Sequence, residues 1–285
     1  MELDVRQGVV LRPGEGEPIT AREDQTVTLK LDFDQLSAFE SWCRSAQEGA
    51  SPHIHRRHAD AFFVVEGELE LWRGDERVKA PAGTTFCAPP GLVHGFVSTR
   101  ESHYLNFHTP DAGFAESRRL RRDKRPHEPT DYDSWSVPEN GGPPASEAIV
   151  VGSCEGERLT DDNRQALVKI ARDELALIEF TLEPGFEGPK PHVHKRHVDS
   201  FFVLEGEVEF RVGDETTRLG AGSCVAASPS VVHSFGRPGP QGARLINVHA
   251  PSCDFPDYLR ALDELARRGM EPGDGLHARH DVFEI

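Results

Sequence analysis

No apolar run in this 285-residue chain approaches the ~20 residues that cross a bilayer as a helix, so no membrane segment is expected. Cysteine is scarce as well. Cys43, Cys87, Cys154, Cys224 and Cys253 form an odd set without paired spacing, which argues against a disulfide framework and fits a reducing compartment. They are read as small buried apolar groups. Basic charge is in deficit: 32 Lys and Arg against 48 Asp and Glu leave a net charge of −16. Such a field repels phosphate backbones and anionic membranes, so neither is an expected partner. Residues 1–7 lack the basic-then-apolar layout of a secretory signal, and the expected address is cytoplasmic. The sequence shows no DNA-binding helix motif, which argues against a transcriptional role.

What the chain does contain is a repeat. Residues 52–68 match residues 191–207 without a gap, at 12 identities in 17, an offset of 139. The same offset carries Gly74, Asp75 and Glu76 onto Gly213, Asp214 and Glu215, Gly83 onto Gly222, and Val93 and His94 onto Val232 and His233. After a two-residue insertion near residues 238–241, Asn106 and His108 correspond to Asn247 and His249. One structural unit has been duplicated, and the length suits two domains with a core each. The expected division is 1–125, a linker at 126–147 rich in Pro, Gly, Ser and acids, and 148–285.

Within each copy, short β-branched and aromatic runs such as 61–65, 68–72, 85–88, 93–97 and 104–108 are separated by turns at Gly67, Gly74 and Gly91. This is the pattern of an all-β barrel or sandwich. Tyr258, Leu259, Leu262 and Leu265 have helical spacing, which predicts a helix over 256–268 packed outside the second barrel. The basic run 118–125 reads as a solvated helix face; against the acidic background an RNA contact is the weaker alternative.

His53 and His55, two apart on an extended segment, project to one face. With Asp60 and the distant His94 they make a donor set of three imidazoles and a carboxylate, repeated as His192, His194, Asp199 and His233. That set suits one divalent transition metal per barrel, Fe(II) foremost, with Mn, Ni, Co or Zn also compatible, and leaves a position for water, substrate or dioxygen. Repetition strengthens the reading, because both copies tolerate three polar rings where an apolar interior would serve.

The segment His53-x-His55, four residues, Asp60, six residues, Gly67 resembles the first motif of the cupin family. Gly83, five residues, Pro89-x-Gly91, two residues, His94 resembles the second. The resemblance implies two tandem double-stranded β-helix barrels with short peripheral helices and a metal inside each, held by His53, His55 and His94 and by His192, His194 and His233. Three departures stand out. The family usually has Glu where this chain has Asp60 and Asp199, so the carboxylate either ligates the metal or orients a water or an imidazole. Ser228 and Ser230 replace Pro89 and Gly91 in the second copy, and the Asn that often closes the second motif is Ser98 or Arg237.

Other residues carry two readings. His58 and His197 are either proton carriers over the site or turn histidines bonded to backbone. Phe62 and Phe201 share a strand face with the aspartates and are either core or cavity lining, the latter favouring an aromatic substrate. His108 and His249, paired with Asn106 and Asn247, suggest a structural strand end. Three function classes follow: a dioxygenase like the quercetin dioxygenase-like bicupins, acting on an aromatic or enolisable small molecule; a non-redox metal-dependent isomerase, cyclase or lyase; or a small-ligand-binding protein without turnover. In the first two, Asp60, Asp199, His58 and His197 are the candidate catalytic groups. A homodimer is a further possibility.

Overall fold

The computed structural model describes residues 8–137, 148–161 and 163–285. Its residues group into two compact units: Gly16–Glu155, and Gly156–Ile285 together with residues 8–15. Both are built mainly of short antiparallel strands.

In the unit Gly16–Glu155, one sheet runs in the order Thr85–Ala88, Ala59–Glu66, Ser102–Thr109, Leu36–Cys43, Gln25–Phe33 and Glu17–Ala21. The other runs Trp135–Ser136, His53–Ile54, His94–Ser98, Glu68–Arg73 and Glu76–Pro81. Side chains from both close a core in which Phe62, Val64 and Tyr104 meet Leu69, Leu71 and Phe96, and Ile19, Val27, Leu29 and Phe39 form a second cluster. Gly67 joins the two sheets at a φ of 79°, where a Cβ would lie 2.1 Å from the Glu101 carbonyl oxygen. Glycine is therefore required there by both backbone and space.

The second unit repeats the plan with Glu157–Asp161, Arg164–Ala171, Ala176–Leu182, Ala243–Ala250, Val198–Val212 and Cys224–Ala227. Val198–Val212 is continuous where the first unit has two strands, and its Gly206 repeats the Gly67 position. Its core includes Phe180, Phe201, Phe210 and Leu245.

The chain path departs from the expected linker boundaries in a specific way. Val9–Leu11 pairs with Cys224–Ala226 in the second unit, whereas Ile149–Val151 pairs with Thr85–Cys87 in the first. Within the segment read as linker, Pro129–Tyr132 forms a 3-10 turn and Trp135–Ser136 a strand paired to His53–Ile54. Residues 138–147 of that segment lie outside the described residues.

In each unit a helix follows directly on the last long strand, Phe114–Arg122 and Phe255–Arg267, and the second unit adds a short helix, Asp274–Arg279. Phe114 stacks on His108 and Phe255 on His249, both with ring centroids 3.5 Å apart. Arg119 bonds Glu17, and Arg260 bonds Glu157. The two helices are therefore equivalent at an offset of 141, and their residues can be compared position by position.

Candidate metal centres

Strand pairing explains why histidines far apart in sequence meet. His53 lies directly across from His94 in the antiparallel register, and His192 across from His233. Cross-strand neighbours of this kind bring their side chains together. Asp60 enters from the next strand. One donor atom from each of His53, His55, Asp60 and His94 lies within 4.8 Å of all the others, and the same holds for His192, His194, Asp199 and His233.

The ring orientations are fixed from behind. Each Nδ1–H donates to a backbone carbonyl: His53 to Ser51 at 2.8 Å, His55 to Asp133 at 2.7 Å and His94 to Leu92 at 3.0 Å. The second unit repeats this with Lys190 at 2.8 Å, Asp281 at 2.8 Å and Val231 at 3.0 Å. With Nδ1 as donor, every neutral ring presents an Nε2 lone pair to the centre. Nε2 of His53 then faces Nε2 of His55 at 3.1 Å, and Nε2 of His94 faces the Asp60 carboxylate at 3.1 Å. Acceptors set against acceptors at that distance repel unless a proton or a cation lies between them.

A proton is the poorer solution. Burial and the neighbouring imidazole push His53 down to about 4, and the same two causes push His192 down to about 3. His55 is driven lower still, by burial first and then by His58 and His94. His53, His55 and His192 are thus neutral at pH 7 and ready to ligate. In the second unit, the buried Nε2 of His194 has no hydrogen-bond partner. Convergent lone pairs, a carboxylate and an orphaned nitrogen together fit a divalent metal.

Both clusters lie in segments matched by the cupin domain family, residues 43–107 and 178–249. The chain is a bicupin. It is 21% identical to the quercetin 2,3-dioxygenase of Bacillus subtilis (strain 168) over 90% of this chain and 86% of that protein. Among solved structures it superposes on an oxalate decarboxylase–formate complex from Lactobacillus farciminis with a TM-score of 0.61 at 10% identity, covering 85% and 86% of the two chains. It also matches AerE from Microcystis aeruginosa with a TM-score of 0.59 at 14% identity, covering 85% and 98%. At such identities the structural likenesses speak for fold alone.

Behind each histidine–aspartate cluster the bicupin carries a second polar layer. Asp133, which donates no ring to the centre, organises it in the first barrel. Its carboxylate accepts the backbone N–H groups of Arg56 at 3.0 Å and Arg57 at 2.8 Å, and bonds His58 Nδ1 at 2.8 Å. His58 Nε2 meets His108 Nδ1 at 3.1 Å, His108 Nε2 meets Asn106 Oδ1 at 3.0 Å, and Asn106 Nδ2 donates to Asp60 at 2.5 Å. Asp281, His197, His249, Asn247 and Asp199 repeat the chain at 3.0, 2.9, 2.8 and 2.5 Å. His58 and His197 are therefore buried links of a side-chain network. His108 and His249, expected as strand ends only, are its next members.

Both clusters open into cavities. The first barrel's cavity, about 320 Å³, is lined by His53, Asp60, Phe62 and Arg118 among others. The second, about 560 Å³, is lined by His192, Asp199, Phe180, Phe235 and Leu259 among others. Phe62 is a core residue that also borders its cavity, whereas Phe201 is core, packed on Phe235 at 4.7 Å. The helix expected over 256–268 spans Phe255–Arg267 and also contributes Tyr258, Leu259 and Leu262 to the cavity wall. The basic run is split by function: Arg119 and Arg122 bond Glu17, while Arg118 and Arg121 line the first cavity.

Proposed function

We propose that this bicupin is a dioxygenase acting on an aromatic or enolisable small molecule, with one divalent transition metal per barrel and Fe(II) the favoured ion. In this reading His53, His55 and His94 hold the metal in the first barrel, and His192, His194 and His233 in the second. The observation that carries it is the second cavity, where the imidazole–carboxylate cluster opens onto the aromatic and aliphatic walls of Phe180, Phe186, Phe235 and Leu262. The 21% identity to a quercetin 2,3-dioxygenase supports the same reading.

The bound metal would supply a Lewis-acidic, redox-active centre for substrate and dioxygen. The chain's own groups do the rest. Asp199 and Asp60, each oriented by an asparagine amide on one oxygen and facing a histidine with the other, accept the substrate's acidic proton. His197 and His58 hold the hydrogen-bonded chain that fixes those carboxylates. The aromatic walls exclude water and align a planar substrate.

Oxygen consumption tests the reading. The Fe-loaded protein should take up dioxygen with a flavonol, a β-diketone or a catechol, and should be silent under nitrogen. Anaerobic turnover by the Zn-loaded protein would replace it with the isomerase, cyclase or lyase reading. Ligand-induced thermal stabilisation without turnover would replace it with the binding-protein reading.

A further inference from the structure

The equivalent helices differ where they face the cavities. Arg118 and Arg121 of Phe114–Arg122 occupy the positions that Leu259 and Leu262 hold in Phe255–Arg267, and all four line their cavities. Ser41 and Phe180, another equivalent pair at offset 139, differ in the same sense. The register is secured by the stacked Phe114 and Phe255 and by Arg119 and Arg260 on their glutamates.

Among the described residues, Arg118 and Arg121 have no ion pair and no side-chain hydrogen bond. Arg118 is half-buried. Burial and the adjacent Arg121 disfavour its charge, and Tyr104 offsets them only in part. The cavity's third arginine, Arg22, is already paired with Asp24. Of its acids, Asp60 is engaged by Asn106 and His94, and Glu48 is exposed. By contrast Arg164 in the second cavity shares its wall with Asp263 and Glu284. A half-buried guanidinium without a counter-ion, with a second, exposed guanidinium beside it, is unfavourable in the free protein, and a carboxylate able to make a forked pair of bonds would relieve it.

We propose that the two barrels take ligands of different charge: the first binds a small carboxylate with an apolar body through Arg118 and Arg121, and the second binds an uncharged apolar molecule. The apolar body would rest on Phe62, Phe96 and Tyr104. This rests on the reading that each cavity receives a substrate, and it assigns the charge of each.

Calorimetric titration of the full-length, metal-loaded protein with benzoate and with its uncharged counterpart benzamide tests it. Benzoate should bind at one site per chain and benzamide should not compete for that site. The double variant Arg118→Leu/Arg121→Leu, which copies the second helix, should weaken benzoate by roughly tenfold or more, the range of a lost charge-assisted hydrogen bond. Arg118→Lys should retain part of the affinity and Arg118→Gln should not, which separates charge from folding. Benzoate bound equally by wild type and double variant, no benzoate binding, or equal binding of benzamide would overturn the proposal. Repeating the titration on chelator-treated protein separates the two readings. A chain that holds no metal yet needs Arg118 for benzoate ends the metal reading alone; full metal without arginine dependence ends this one alone.

Discussion

Set side by side, the two barrels agree to within a few tenths of an ångström behind the histidine–aspartate clusters and disagree at the cavity walls. The asparagine–aspartate bond is 2.5 Å in both, and the imidazole–carbonyl bonds differ by at most 0.1 Å. Yet arginine stands in one wall where leucine stands in the other. The contrast has a physical cause. A buried ring must satisfy both nitrogens in one geometry, so each member of the network constrains the next. A wall residue meets only what enters the cavity, and it can change charge without stranding a neighbour.

The sharpest way to break that comparison is to remove one ligand from each barrel. His94→Ala and His233→Ala should each cost one whole equivalent of metal of the two per chain and leave the other barrel loaded, as measured by elemental analysis. A variant that loses both equivalents, or neither, would show that the barrels are not independent sites of one design. Next in size is the layer behind. Asp133→Ala strands two backbone N–H groups and His58, and Asp281→Ala strands those of Lys195 and Arg196 and His197. Each should destabilise its barrel by on the order of 3 kcal/mol in denaturant unfolding, with Asn recovering part of the loss. A large effect at one position and none at the other would mean that the likeness is geometric only.

Asp133 and Asp281 also mark where the sequence stopped being legible. The histidines and Asp60 were readable because they recur at an offset of 139 on strands whose period puts them on one face. The two organising aspartates recur at 148, one of them inside a stretch that reads as linker, so the main offset does not pair them. A signal was there. Asp133 precedes Trp135 by two residues and Asp281 precedes Phe283 by two, and these rings cover Arg56 and Lys195 at 3.7 and 3.6 Å. The cavity-facing sides of the helices are hidden for another reason. Periodicity finds an apolar face over 256–268 but cannot say whether that face meets a core or a cavity, and a basic run against an acidic background reads as solvated.

Acid should affect the barrels alike. In the metal-free protein His53 is depressed to about 4, His197 to about 4 and His192 to about 3, mainly by burial. Unfolded histidines titrate near 6.5. Between about 4 and 6.5 the unfolded chain therefore binds more protons than the folded one, so stability falls as pH drops through that window and is fully present above it. Unfolding midpoints measured at pH 7.5 and pH 5 should decline together for both barrels. A decline confined to one, or a rise toward acid, would contradict the shared buried imidazole design.

The smallest effect concerns a turn that the two copies build with different residues. Gly91 and Ser230 hold equivalent left-handed positions, with φ of 86° and 72°, just before the last histidine of each cluster. Each donates its N–H to the carbonyl of the second histidine at 2.6 Å: Gly91 to His55, and Ser230 to His194. The bond fixes the conformation, so serine is held where an L-residue is strained. Ser230→Gly removes that strain but enlarges the entropy of the unfolded chain, and the two terms oppose each other. Gly91→Ser meets no atom within 4 Å of the new Cβ, so backbone strain is the main structural term there. We expect Gly91→Ser to destabilise by about 1 kcal/mol and Ser230→Gly to be neutral or stabilising by less than about 1 kcal/mol, with metal content unchanged in both. If Gly91→Ser instead costs the first barrel its metal, the turn sets the position of His94 and the replacement at Ser230 has altered the second site.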